Sequence, residues 1–173
     1  EVKIVTFSDG YTMQTSSRKQ NLSYWNKTAG NDANISPLEK LEAIKAMNLE
    51  APIVVVMSAN RSGAMVWSEV EPLADVVFYR YGSVSDDAAV ELIAGKVEPS
   101  ALLCQQQPAS MKAVEQEMED VSRDLECYVD ANGNTYDFAY GLNWSGVIND
   151  ERVATYSAAP LTHVENMQFH YAQ

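Results

Sequence analysis

Ile53-Val54-Val55-Val56-Met57 is apolar at every position, and Asp75-Val76-Val77-Phe78-Tyr79 comes close to repeating it further along the chain. A strand with one wet face alternates apolar and polar residues; a run without alternation has to be buried on both faces, the mark of a parallel sheet covered on each side. Pro52 sets the start of the first run, because the residue before a proline is pushed out of the helical region. Residues 2–7, Val-Lys-Ile-Val-Thr-Phe, form another β-rich run and end in the loop-like Ser8-Asp9-Gly10.

Helical patterns fall between these runs. Ser36-Pro37-Leu38-Glu39 has the form of a helix start, with Ser36 as N-cap, proline at the first helical position and Glu39 closing a capping box. Leu38, Leu41, Ile44 and Ala46-Met47 supply one apolar stripe, and Ala51-Pro52 is expected to end the helix. A second helix is expected over part of residues 64–73. A third starts at Ser85-Asp86-Asp87, with Ala88, Ala89, Leu92 and Ile93 as its apolar face and Gly95 as its stop. Strands alternating with helices predict an α/β domain. Its expected form is a three-layer sandwich, a mostly parallel sheet between helices, with a C-terminal β-hairpin.

That hairpin is placed at Asn132-Gly133, a strong short-range turn signal between Cys127-Tyr128-Val129 and Thr135-Tyr136-Asp137-Phe138. Residues 110–125 read as an amphipathic helix on Met111, Val114, Met118 and Val121. Residues 11–34 are polar and aperiodic, a long loop of the kind that carries function. His163 and His170 stand alone in the last stretch and are expected to hold no metal.

Charge narrows the partners. Twelve Lys and Arg against 24 Asp and Glu leave a net charge of −12, which opposes approach to nucleic acid or to an anionic membrane. The apolar runs are too short to cross a bilayer. Two cysteines, Cys104 and Cys127, without a C-x-x-C pair, are expected as ordinary thiols in preference to a disulfide, a zinc site or a redox pair. No G-x-G-x-x-G or Walker-type loop follows a strand, so no nucleotide or other cofactor is expected. Five Asn-x-Ser/Thr triplets, at Asn21, Asn26, Asn34, Asn60 and Asn143, tilt an otherwise open localisation towards the secreted or extracytoplasmic side. A strand-like run begins directly after Glu1, so a segment lost ahead of it is expected.

The order of motifs resembles the C-terminal α/β-sandwich domain of family 3 glycoside hydrolases, the β-glucosidase-like enzymes. Pro52-Ile53-Val54-Val55-Val56-Met57-Ser58 looks like that family's proline-led valine strand, and Ala74-Asp75-Val76-Val77-Phe78-Tyr79 like its next strand. Residues 88–100, AAVELIAGKVEPS, are similar to the helix, glycine and Asn-Pro-Ser stretch that follows. Tyr136-Asp137-Phe138-Ala139-Tyr140-Gly141-Leu142-Asn143-Trp144-Ser145 looks like the family's Pro-Phe-Gly-Tyr-Gly-Leu-Ser-Tyr-Thr segment, the most specific of the matches. Residues 1–146 are thereby read as the domain, possibly incomplete, and 147–173 as a C-terminal extension.

The resemblance implies carbohydrate as ligand and a β/α-barrel domain of a parent protein as partner, with the nucleophile on that barrel. A retaining mechanism needs two carboxyl groups about 5 Å apart, so this chain alone is expected not to hydrolyse glycosides. The acid/base glutamate often found after the first strand falls here on Met13 or Gln14, neither of which donates a proton as a tuned carboxylic acid does. Asp9 is the fallback acid, and Tyr11, Gln14, Arg18 and Trp25 are the candidate sugar contacts. The family's glycine after Pro-Ser is Ala101 here, its Lys/Arg-Leu-Pro pattern is Leu102-Leu103-Cys104, and its proline after the aromatic pair is Arg80. These departures leave a second reading, a non-catalytic carbohydrate- or protein-interaction module. In either case a partial sheet has an open edge on which a second copy of the chain could pair.

Overall fold

The computed structural model describes residues 2–8, 32–59, 66–81, 84–118, 121 and 123–157. Strands β1 (Lys3–Ser8), β2 (Ile53–Ala59) and β3 (Val76–Tyr81) form a parallel sheet in the order β1-β2-β3, so the fold is α/β as the unalternating runs require. Val5 pairs with Val55, and Val55 with Val77, which puts the odd-numbered residues of all three strands on one face. Central β2 is buried on both sides, with Ile53 to Met57 each at most 5% exposed. Burying each such side chain contributes about 1.5–3 kcal/mol relative to leaving it in water.

The two faces have different cover. Helix α1 (Asp32–Ala46) lays Leu38 and Leu41 on the odd face, against Val5, Phe7, Val55 and Met57. Helix α2 (Asp86–Ile93) packs Ala89 and Ile93 on the even face, against Val54, Val56 and Phe78. On β1 the even face has no such cover: Ile4 is 49% exposed, and among the described residues no strand pairs with β1's outer edge. Arg80 has a structural use in its place on β3. Its Nε donates to Ser58 Oγ on β2 (2.6 Å), and its Nη1 donates to Asp86 Oδ1 (2.6 Å) and the Val84 carbonyl (3.2 Å), tying two strands to the start of α2. Asp75 does the same at the other end of the sheet: its Oδ2 accepts the Ile53 N–H at 2.8 Å while its own N–H reaches the Ile53 carbonyl.

Several expectations need correction. Helix α1 starts at Asp32, ahead of the expected cap at Ser36, and Pro37 lies within it. Pro37 is its sixth residue and has no N–H to give the Ala33 carbonyl, so the helix forgoes one backbone bond there. The helix also ends before Ala51-Pro52: Asn48 takes the left-handed conformation (φ 48°) that asparagine tolerates, and its N–H returns to the Lys45 carbonyl. No α-helix forms over 66–73. Two 3-10 turns, Trp67–Glu69 and Glu71–Leu73, take its place, because Pro72 has no N–H for the Ser68 carbonyl and instead sits at the start of the second turn.

The helix expected over 110–125 is cut to α3 (Met111–Gln116), which buries Ala113 and Val114. The sequence Glu115-Gln116-Glu117-Met118-Glu119-Asp120 sets like charges three and four residues apart, and Met118 and Val121 would gain no burial, being exposed. Asp124 Oδ2 takes the Met118 N–H instead (2.7 Å). Around Asn132-Gly133 the chain does turn back, with Gly133 at φ 83°, but only the Val129–Thr135 bridge forms there. The regular hairpin lies one turn later, β4 (Leu142–Asn143) against β5 (Gly146–Val147). Helix α4 (Glu151–Tyr156) follows, and Arg152 fastens it to the body through Nη1 to the Ser100 carbonyl at 2.7 Å. Among the described residues no helix is long and apolar enough to cross a membrane.

Candidate functional site

Asp9, Tyr11, Gln14, Arg18 and Trp25 lie outside the described residues, as do Met13, His163 and His170. Within the described residues the outstanding feature is a groove of about 700 Å³ along the outer edge of β3. Both faces of that strand reach it, Val76 and Phe78 from one side and Val77, Tyr79 and Tyr81 from the other. Helix α2 contributes Ala88 and Leu92. The far wall is formed by residues 98–103 and 140–144. These two segments are bonded to each other, Leu103 N–H to the Tyr140 carbonyl (2.8 Å) and Ala139 N–H to the Leu103 carbonyl (2.9 Å).

One flank of the groove is aromatic. Tyr81, Tyr79, Trp67, Tyr136 and Tyr140 form an unbroken series with ring centroids 4.7, 5.1, 4.9 and 4.8 Å apart, and Tyr128 branches from Tyr136 at 5.2 Å. All these pairs are tilted or edge-on, the arrangements that the ring quadrupole favours. Strand spacing explains part of the series, since Tyr79 and Tyr81 share a face at the two-residue period. The turn at Gly133 brings Tyr136 back beside Tyr128.

Acidic and amide groups meet the aromatic flank. Tyr128 donates its hydroxyl to Glu71 Oε2 at 2.6 Å. Asp130 Oδ1 accepts the backbone N–H groups of Asn132 and Asn134 at 2.9 Å each, and Oδ2 accepts Asn134 Nδ2 at 2.9 Å. Burial works against ionisation of Asp130, but those bonds and one from the Tyr136 hydroxyl outweigh it and hold its carboxyl below the usual range. Burial first, and neighbouring negative charge second, push the Tyr136 and Tyr140 hydroxyls upward. For Tyr128 burial is again the chief cause, followed by its bond to Glu71. At neutral pH the flank therefore offers neutral O–H groups beside the ionised Asp130 carboxylate. Trp67 Nε1 is buried without a hydrogen-bond partner. An orphan of this kind costs about 1–3 kcal/mol.

Both cysteines are free thiols, Cys104 exposed and Cys127 half-buried. Burial, then the charge of Asp137, pushes Cys127 up to about 11, partly opposed by a bond from Gln106. At pH 8 only about one Cys127 in a thousand is thiolate, and the thiolate is the reactive form. Iodoacetamide at that pH is expected to label Cys104 well ahead of Cys127, read by peptide mass mapping; equal rates would mean that Cys127 is not shielded as described. No group of three or more His, Cys, Asp or Glu side chains arranged to hold a metal ion occurs among the described residues.

Trp67, Glu71, Tyr79, Asp130, Tyr136 and Tyr140 are not among the site residues expected from the sequence. Aromatic residues recurring at two- and four-residue intervals, 79/81 and 136/140, were the signal in the sequence that these side chains gather. Comparison with protein-family models, with curated proteins and with solved structures gave no match.

Proposed function

We propose that this chain is a carbohydrate-binding accessory domain of a family 3 type glycoside hydrolase, unable to hydrolyse a glycoside alone. The groove beside β3 carries the reading. A pyranose ring has apolar C–H faces and a rim of hydroxyls, and the groove sets tyrosine and tryptophan rings against carboxylates, amides and neutral hydroxyls.

Position supports it as well. The four segments that carry the family resemblance are β2, β3, α2 with the stretch to Ser100, and residues 136–145; the last three of these line the groove. A further detail fits: Ala139, at the place where the family pattern has glycine, sits at φ 67°, a conformation natural to glycine and strained for alanine by about 1–2 kcal/mol. In this reading the sheet is the middle of a three-layer sandwich covered by α1 and α2. A barrel elsewhere in the parent protein supplies the nucleophile, and Tyr11, Gln14, Arg18 and Trp25 add sugar contacts, with Asp9 the fallback acid.

Isothermal titration of the purified chain with glucose, cellobiose and N-acetylglucosamine is the test. Millimolar or tighter binding of at least one, with no turnover of an aryl β-glucoside, is expected. Absence of binding to all three would remove the carbohydrate reading, and turnover would overturn the claim that the chain is hydrolytically incomplete.

A further inference from the structure

We infer that helix α4 is a detachable strap, docked by two arginines, that holds the far wall of the β3 groove in place.

Apolar packing does little to fix this helix. Of residues 151–157 only Val153 is partly buried; the rest are exposed, Tyr156 at 60%. Its six residues are also about half of what an isolated helix needs to hold itself together in water. Polar contacts at its two ends therefore set its place. At the start, Asp150 accepts the Arg152 backbone N–H at 2.9 Å and pairs with the guanidinium of the same residue, Nη2 to Oδ2 at 2.7 Å. That pairing orients the guanidinium while Nη1 donates to the Ser100 carbonyl at 2.7 Å. At the far end Arg123 donates Nη1 to the Ser157 carbonyl at 2.9 Å and Nη2 to the Tyr156 carbonyl at 2.8 Å. The last carbonyls of a helix carry its negative pole, and a planar guanidinium meets two of them at once.

A second observation singles out Arg123. Its φ of 62° lies in the left-handed region, strained for a residue with a side chain. Strain of this kind persists only where surrounding contacts hold it, and it gathers at clamps and switch regions. Here the contacts are the two α4 carbonyls and the Phe138 ring, whose centroid lies 5.0 Å from the guanidinium carbon.

The strap reaches the groove through Ser100, which lines the far wall together with Glu98 and Ala101. Residues 98–100 are gripped from two sides, by Arg152 on the Ser100 carbonyl and by the Trp144 N–H on Glu98 Oε1 at 3.1 Å. Release of α4 removes the first grip and lets the wall move away from β3, widening the groove. Elements with few buried apolar contacts open at the lowest cost, and lids are drawn from them.

The experiment measures backbone N–H order parameters by NMR relaxation in the full chain, in Arg123→Gln, in Arg152→Gln and in the double variant. The Asp150 cap survives in all of them, because it uses the backbone N–H of residue 152. In the double variant residues 151–157 are expected to fall from the rigid value of about 0.85 to below about 0.6, residues 98–101 to fall with them, and β2 to stay rigid. Arg123→Gln alone is the decisive single change, since Arg123 grips the far end of α4 and Arg152 the wall. It should lower both 151–157 and 98–101, an effect that reaches the wall only through the helix. Loosening confined to residues 155–157 in that variant would mean that α4 frays from one end, and would overturn the strap. A helix that stays rigid in the double variant would show that the arginines do not dock it, and a wall that stays rigid while α4 loosens would show that α4 does not hold it; either result overturns the inference. Loosening of β2 alongside α4 would make the helix an integral part of the fold and overturn its detachability.

Discussion

Trp67→Ala is expected to destabilise the fold by about 3–5 kcal/mol, the range for removing a large buried ring. Trp67 sits in the first 3-10 turn of the β2–β3 connection, where it is 4% exposed and touches Tyr79 of β3 on one side and Tyr136 on the other. It thus joins the sheet to the C-terminal third of the described chain. Domains of this size are stable by about 5–15 kcal/mol, so the loss takes away a large fraction of the total. Trp67→Phe gives the contrast: it keeps most of the ring contact and deletes the indole N–H that has no partner, so its cost should be well below that of alanine. Urea denaturation followed by far-ultraviolet circular dichroism measures both. A loss under about 1 kcal/mol for Trp67→Ala would mean that the aromatic series is loosely packed surface rather than core.

That series explains why the sheet was legible in the sequence and the groove was not. Ile53 to Met57 is apolar without alternation, and only a strand buried on both faces satisfies such a run, so local pattern and tertiary outcome coincide. Ser85 was readable for the same reason. Its hydroxyl accepts the Ala88 N–H within one turn of α2, an interaction complete inside four residues. Trp67 and Tyr136 are 69 positions apart, and nothing local at either announces that their rings meet. Where local signals misled, a neighbour distant in sequence or a missing donor decided the outcome. Ser36 looks like a cap, but the chain is already helical from Asp32. The 3.6-residue stripe of Met111, Val114, Met118 and Val121 is real, yet only its first half finds a core, and Asp124 takes over the backbone N–H that would have continued the helix.

Gly141→Ala is expected to cost about 1–3 kcal/mol, the usual penalty for overpacking, and to weaken sugar binding in the groove as well. The cause is steric. A Cβ on Gly141 would run into the Ala101 carbonyl oxygen and lie 3.0 Å from Leu102 Cδ2. The obstacle is backbone, and both strands are held: Leu103 is bonded to Tyr140 and Ala139, and Gly141's own carbonyl accepts the Ile148 N–H at 2.9 Å. The added methyl must therefore push residues 101–103 away from 139–141, and those two segments are the far wall of the groove. Gly95→Ala separates this effect from the conformational one. Gly95 has φ 68° with nothing within 4 Å of its Cβ position, so alanine there costs backbone strain of about 1–2 kcal/mol and shifts no part of the groove. Thermal melts should register both substitutions, whereas titration with the sugars should register only Gly141→Ala. Equal sugar affinity in the two variants would place the binding surface away from the Ala101–Gly141 contact and remove the far wall from the site.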